Sequence, residues 1–324
     1  AETGKIDSTL IVILHSNGND SAVVNEKPRY VTRLDSRGNF RFKNLPPKTF
    51  YLYALKDNGG RRYSDKDLFA FADKPILIGQ SDSITLHAYI AEQAPSSQQS
   101  KPVTLPPGFG NRNRPSNVAA DRRLKFTTNL VGGQQDLLGE FFISFEQPLK
   151  SFDSTKLTLH TDTTFTPVPS YRFVPDSSNR KIQLVHSWKE NTTYHIIMDK
   201  DFAEDSAGKK LLKSDTLTFT TKKLSDYANV KLRFKNLDLS KNPVLQFVQN
   251  SNVVRSYTFT DATFSAPVFL PGEYELRILF DDNKNGKWDP GEFFGKHKQP
   301  ELVKPVERKI TVKPGLEHDV EIAL

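Results

Sequence analysis

Apolar residues recur at every second position along almost the whole of this chain, and that period restricts it to strands. Leu10, Val12 and Leu14 interleave with Ile11 and Ile13 in an unbroken apolar run. Phe40 and Phe42 lead to Phe50, Leu52 and Ala54, and later to Ile84, Leu86, Ala88 and Ile90. The alternation returns at 157–159, 182–184, 194–197 and 217–219, and again at 230–234, 274–280, 310–312 and 320–322. Successive side chains then fall on opposite faces, the mark of half-buried strands. Turn signals separate the runs: Ser36-Arg37-Gly38-Asn39, Pro46-Pro47, Ser177-Ser178-Asn179 and Pro271-Gly272. No twelve-residue segment carries the 3.6-residue period of a helix. The fold class is therefore all-β, read as three tandem β-sandwich modules.

The division into modules follows from composition. A hydrophobic fraction of 36% over 324 residues suits several small cores better than one large one. Residues 94–121 are rich in Pro, Ser, Gln, Asn and Gly and read as a polar linker. They separate a first module, 1–93, from a middle module, 122–224. A softer boundary near Lys223-Leu224-Ser225-Asp226 opens a third, 225–324. The first and third share a pattern. Leu45-Pro46-Pro47 precedes Phe50, Leu52, Ala54 and Asp57, and Leu270-Pro271-Gly272 precedes Tyr274, Leu276, Ile278 and Asp281. Two copies of one sandwich type flanking a different one are expected.

The stretch Gly38-Asn39-Phe40-Arg41-Phe42-Lys43-Asn44-Leu45-Pro46-Pro47, followed by alternating apolars, resembles the transthyretin-like, carboxypeptidase-regulatory-like sandwiches. The third module is similar to the same class. The middle module resembles bacterial Ig-like domains. Its opening is Phe142-Ile143-Ser144-Phe145-Glu146-Gln147-Pro148-Leu149. Its second half runs through Trp188, Asn191, Thr192, Tyr194, Asp205, Gly208 and 215–219. The module order resembles Ig-like outer-membrane or surface lipoproteins of Bacteroidota. That resemblance implies a cell-envelope location, at the outer-membrane surface or in the periplasm of a Gram-negative bacterium. It also implies a lipid anchor upstream of residue 1, since neither an initiator Met nor a signal peptide opens the sequence.

With no cysteine, disulfide scaffolds, thiolate zinc sites and thiol catalysis are excluded. The net charge of +7 is spread thinly, with no basic run for nucleic acid. No run approaches the length of apolar residues a membrane helix needs.

The strongest chemical signal is Asp281-Asp282-Asn283-Lys284-Asn285-Gly286-Lys287-Trp288-Asp289-Pro290-Gly291-Glu292. On the calcium-loop template Asp281, Asn283 and Asn285 take the first three ligand positions, and Gly286 makes the sharp turn. Lys287 gives its carbonyl, Asp289 follows, and Glu292 closes the set. All are oxygen donors, suited to a hard cation, so Ca2+ in a structural role is the expected cofactor. The competing reading is an acidic turn whose Asp and Asn side chains cap the local backbone. The first module's counterpart keeps Asp57, Asn58, Asp65 and Asp67 at unsuitable spacing, with Arg61 and Arg62 intruding. Asp199, Asp201, Glu204 and Asp205 form a second acidic cluster, more simply a solvated hairpin.

The seven histidines are scattered without metal spacing, and there is no G-x-S-x-G. Gly108-Phe109-Gly110 lacks a phosphate loop's flanking elements. Tyr194 fits a tyrosine corner. Asp-Ser/Thr tripeptides resemble the Bacteroidota O-glycosylation motif and nominate Ser8, Ser83, Ser154, Thr163, Ser206 and Thr216, though Asp, Ser and Thr crowd turns anyway. The resulting expectation is a non-enzymatic envelope protein acting in adhesion, in scaffolding or as an accessory subunit of an outer-membrane complex, with a protein or glycan partner. The alternative is a glycan-binding accessory module of a polysaccharide-handling system, with Trp288, Tyr171 and Phe109 as candidate stacking rings. A hydrolase ranks third, since no nucleophile–base set assembles.

Overall fold

The computed structural model describes residues 2–57, 59–79, 83–91 and 123–324. The expected linker 94–121, Phe109 and Asn58 lie outside the described residues. As the alternation requires, the chain is all-β; among the described residues its helical content is one short helix, Ala22–Asn25, and brief 3₁₀ turns. It divides into two compact units, one of Ala1–Pro102 with Asn229–Leu324, the other Val103–Ala228.

The second unit is an Ig-type sandwich. One sheet runs in the order Thr166–Pro167, Leu157–Thr161, Thr193–Met198, Asp215–Thr221, Gln134–Gln135. The other runs Arg172–Pro175, Lys181–Val185, Phe141–Phe145, Phe126–Thr128. Alternate residues Phe141, Ile143, Ile182, Leu184, Leu157, Leu159, Tyr194 and Ile196 fill the space between them. Phe219 stacks between Phe141 and Tyr194, and Trp188 meets Tyr194 and Phe219 edge-on. The Tyr194 hydroxyl accepts the backbone N–H of Lys189 at 3.3 Å, the reach-back of a tyrosine corner.

The first unit joins the N-terminal and C-terminal stretches, which the sequence set apart as 1–93 and 225–324. In the N-terminal copy the sheet order is Tyr30–Arg33, Leu10–His15, Thr49–Lys56, Phe69–Phe71, with Ile76–Leu77 paired to the start of Thr49–Lys56. In the C-terminal copy it is Asn252–Thr258, Pro243–Gln249, Gly272–Phe280, Leu302–Pro305, with Ile310–Val312 paired to the start of Gly272–Phe280. Strand for strand, in chain order and in pairing, the two sheets are the same. The shared Leu-Pro turn marks the entry to the central strand of each.

The copies differ in their second layer. The C-terminal copy has a three-stranded sheet, Thr263–Phe269, Ala228–Lys235, Glu317–Ala323, the last two parallel. Its Phe264 meets Phe247 of the larger sheet (5.0 Å), and its Phe234 meets Phe259 (5.1 Å), the residue that follows Asn252–Thr258. In the N-terminal copy the corresponding stretches, around Phe40–Phe42 and Ile84–Ala88, do not form the ladder that their alternation leads one to expect. Tyr89 bridges Phe69, and the Arg41 carbonyl accepts the Thr32 hydroxyl at 3.0 Å. Asn44 has a positive φ of 55°, and Pro46 and Pro47 have no N–H to donate, so the first of these stretches leaves the strand path.

The unbroken run 10–14 is explained by burial on both faces of the N-terminal sheet. Val12, Leu14, Leu52, Ala54 and Ala70 face the irregular cover. Ile11, Ile13, Tyr53, Leu55, Phe69 and Phe71 face Phe293 and Trp288 of the C-terminal copy. That second contact is why the two stretches make one unit.

Candidate functional site

The loop 281–301 follows directly from Gly272–Phe280. Asp281 is buried, and its carboxylate accepts the backbone N–H of Asn285 (3.2 Å) and of Gly286 (2.6 Å). Those bonds fold the loop back on itself. The turn needs left-handed backbone at Lys284 (φ 62°) and Gly286 (φ 75°), and glycine takes that conformation without strain. The Oδ1 atoms of Asn283 and Asn285 accept the N–H of Asn285 (3.0 Å) and Lys287 (2.7 Å). Their amide nitrogens both donate to Oδ2 of Asp289, from Asn285 at 2.8 Å.

Sequence reasoning missed Glu301. This buried carboxylate accepts the N–H of Asp282 and of Asp289, each at 2.9 Å, while its backbone carbonyl accepts the Trp288 indole N–H at 2.8 Å. Burial pushes its pKa above the usual carboxylate range, against its two N–H donors, and the neighbouring Asp281 and Asp289 push it the same way. Its only signal in the sequence is a lone acid heading a strand.

Glu292, placed last on the ligand template, does not join the others. Its side chain is half exposed and pairs with Lys296 at 2.8 Å, while its backbone bridges Lys298. The strand-like bridge turns this side chain away and leaves Glu301 as the third carboxylate, beside Asp281 and Asp289. Asp281, Asn283, Asn285 and Asp289 are brought together, and Lys287 stands at the turn with its side chain exposed. Among the described residues, no group of three or more His, Asp or Glu is arranged to hold a metal ion. Amide and carbonyl oxygens would have to complete any shell.

The far end of the loop is a hook. Gly291 passes so close to Tyr89 that a Cβ would lie 2.7 Å from its ring. Phe293 is buried against Tyr53, Phe69 and Phe71, with ring centroids 5.6, 5.2 and 5.0 Å away. His297 stacks on Phe293 at 5.1 Å and pairs with Asp20 at 2.7 Å. Gln299 donates to the Phe71 carbonyl and to Asp73. Burial of this cluster pushes the Tyr53 hydroxyl pKa up to about 12.

No family model matches the sequence, and no curated protein matches it. Native alpha-2-macroglobulin from Escherichia coli, over domains MG0-NIE-MG1, is similar across 60% of this chain and 91% of its own at 10% identity, with a TM-score of 0.28. The N-terminal part of the bacterial S-layer protein SbsC is similar over 52% of this chain and 41% of its own, at 13% identity and a TM-score of 0.26. BcpA, the major pilin subunit of Bacillus cereus, covers 97% of this chain and 93% of its own at 8% identity, with a TM-score of 0.19. Likeness this loose carries nothing over to the chain.

The other acidic motifs are spent on local structure. Asp205 is buried and accepts the N–H of Ala207 and Lys209; Glu204 pairs with Lys150 and Lys210. Asp57 accepts the N–H of Gly59. Asp7, Asp153 and Asp162 each bond the backbone and hydroxyl of the Thr two residues on, and these bonds hold all three carboxyls below their ordinary pKa. Ser8, Ser83, Ser154, Thr163, Ser206 and Thr216 are all exposed. His195 bonds Thr218 and meets Phe165 at a tilt, with ring centroids 4.4 Å apart. Of the candidate stacking rings, Tyr171 and Trp288 are partly buried against hydrophobic cores.

Proposed function

We propose that this chain is a non-enzymatic, modular protein of the bacterial cell envelope, serving adhesion, scaffolding or an outer-membrane complex, with its C-terminal loop held by one calcium ion. The observation that carries the reading is the double use of the loop 281–301. Its acidic half folds onto itself, and its aromatic half pins one β-sheet to another. Such a loop does structural work, and sheets joined in this way present faces and edges to partners.

The oxygen chemistry of Asp281, Asn283, Asn285, the Lys287 carbonyl, Asp289 and Glu301 suits calcium. To offer oxygen to the ion, the two Asn side chains give up their bonds to Asp289 and share or release the N–H groups of Asn285 and Lys287 that their Oδ1 atoms now accept. When bound, the ion supplies positive charge that offsets the crowding of Asp281, Asp289 and Glu301. In this reading Glu301 replaces Glu292, and the six exposed hydroxyls are acceptors for O-linked glycans.

Calorimetric unfolding in calcium against chelator tests the metal. At an affinity in the weak extracellular range of about 10⁻⁴ M, calcium at about 100 times Kd adds about 2.7 kcal/mol and raises Tm by a few degrees. Asp289→Ala abolishes the rise. Superimposable traces remove the ion from the reading and leave the Asn–Asp289 bonds as the loop's own closure.

A further inference from the structure

Two of the seven histidines, far apart in the sequence, are brought side by side by the Ig-type sheet. His160 of Leu157–Thr161 and His195 of Thr193–Met198 are direct partners in the antiparallel ladder. Residues that face each other in this way share one side of the sheet, with Cβ atoms about 4.5–5.5 Å apart. Pro167 extends the row on one side and Thr218 on the other. The alternate residues Leu159, Tyr194, Ile196 and Phe219 fill the core, so this row lies on the outward face. Each imidazole is held at Nδ1 by a protein oxygen: His160 by the Phe165 carbonyl at 2.8 Å, His195 by the Thr218 hydroxyl at 2.9 Å. A carbonyl only accepts, so Nδ1 of His160 carries a proton, and in the neutral ring Nε2 keeps its lone pair. That nitrogen meets the Thr158 hydroxyl at 3.0 Å. Nε2 of His195 is buried with no hydrogen-bond partner, and the residue is only 8% exposed despite its outward face. The cover is Phe165, whose ring centroid lies 4.4 Å from that of His195. Phe165 is itself 43% exposed, and its φ of 54° is a left-handed conformation that a bulky residue rarely takes. Such strain persists where neighbours hold it, as the bond from His160 to the Phe165 carbonyl does here.

We propose that His160 and His195 together bind one divalent transition-metal ion of the zinc type through their Nε2 atoms, with the Phe165 ring as a cover that swings outward to admit it. Imidazole nitrogen suits zinc, nickel and copper, whereas calcium and magnesium take oxygen. The ladder sets the spacing of the two rings. The oxygens at Nδ1 set their tautomer and orientation, the outer-shell arrangement that metal-ligating histidines use. A buried ring nitrogen without a partner costs stability, and coordination supplies the partner it lacks. On binding, the Thr158 hydroxyl releases Nε2 of His160 and turns to solvent. Among the described residues no third His, Asp or Glu completes a cluster, so water fills the remaining positions of the ion. The site is separate from the acidic loop 281–301, and it depends neither on calcium nor on the role proposed above.

The probe is zinc chloride, titrated calorimetrically into the full chain with calcium in excess so that the acidic loop takes no part. One zinc ion per chain is expected, and magnesium gives no heat. Thr218→Val keeps the shape of the side chain and removes the Nδ1 partner of His195; it is expected to weaken binding about tenfold. His160→Ala and His195→Ala each weaken it by more than the roughly 10–100-fold that loss of an outer-shell partner costs. Should His195→Ala fail to fold, His160→Ala carries the test, since that ring is less buried. Phe165→Ala uncovers Nε2 of His195 and tightens binding. With copper(II) as the probe, electron paramagnetic resonance is expected to show hyperfine coupling to two imidazole nitrogens. No heat from zinc with either the parent or Phe165→Ala overturns the proposal. So does zinc held as tightly after His160→Ala, which places the ion on other histidines, and so does a copper signal that carries one nitrogen or none.

Discussion

His15 ends the first strand with its ring buried, edge-on to Tyr53 at 5.9 Å, and with Nε2 lacking a hydrogen-bond partner. Burial lowers its pKa below 6.5, and burial acts on His87 in the same direction. The unfolded chain therefore takes up protons before the folded one, so folding stability is complete above the ordinary histidine pKa and falls as the pH drops through it. His15→Phe removes one of the two contributions. Thermal unfolding between pH 5 and 7.5 is expected to show a shallower acid-side decline for the variant, with an equal or higher Tm at the acid end. An unchanged slope places the dependence elsewhere. Single residues of this kind were not legible in the sequence, because a histidine at a strand end reads alike whether a ring or water lies beyond it. Asp281 was legible as a loop-closing acid, because its spacing to Asn283, Asn285 and Gly286 is a local constraint. Glu301 was not, because its partnership with Asp282 and Asp289 spans a whole loop.

At the scale of elements, the loop 281–301 does two jobs. Phe293→Ala removes the ring that Tyr53, Phe69 and Phe71 enclose, and burial of a phenylalanine of this kind is worth about 3–5 kcal/mol. The variant is expected to lose the docking of the two sheets before either unfolds. Limited proteolysis should then cut around Gly291 and Gly295 at a rate the parent does not show. Equal cleavage of variant and parent removes the hook from the account. The strands themselves were readable from alternation alone, and so was the duplicated Leu-Pro entry to the central strand. The two-sided burial of Leu10–His15 was present as an unbroken apolar run. What lay against its second face was not, since an apolar run records that both faces are covered and not by which element.

At the scale of the whole molecule, two copies of one sheet share a unit, and only one copy carries a complete second layer among the described residues. Residues 225–324 are therefore expected to fold alone with a cooperative thermal transition, and residues 1–93 alone are not. Two cooperative transitions of similar sharpness would mean that the N-terminal copy closes its second layer unaided. Composition and turns divided the chain into three stretches, and they held no sign that the first and third share one compact unit. That union depends on a handful of aromatic side chains placed far apart in the chain.

In the complete copy, Ala228–Lys235 and Glu317–Ala323 run side by side and parallel over seven residue pairs, from Asn229 with Glu317 to Lys235 with Ala323. One strand enters this copy and the other leaves it. Tension applied between Ala228 and Leu324 therefore pulls along the ladder in opposite directions, and its rungs must yield together under shear instead of peeling one by one. A module wired in this way can serve as a mechanical link that holds under stretch.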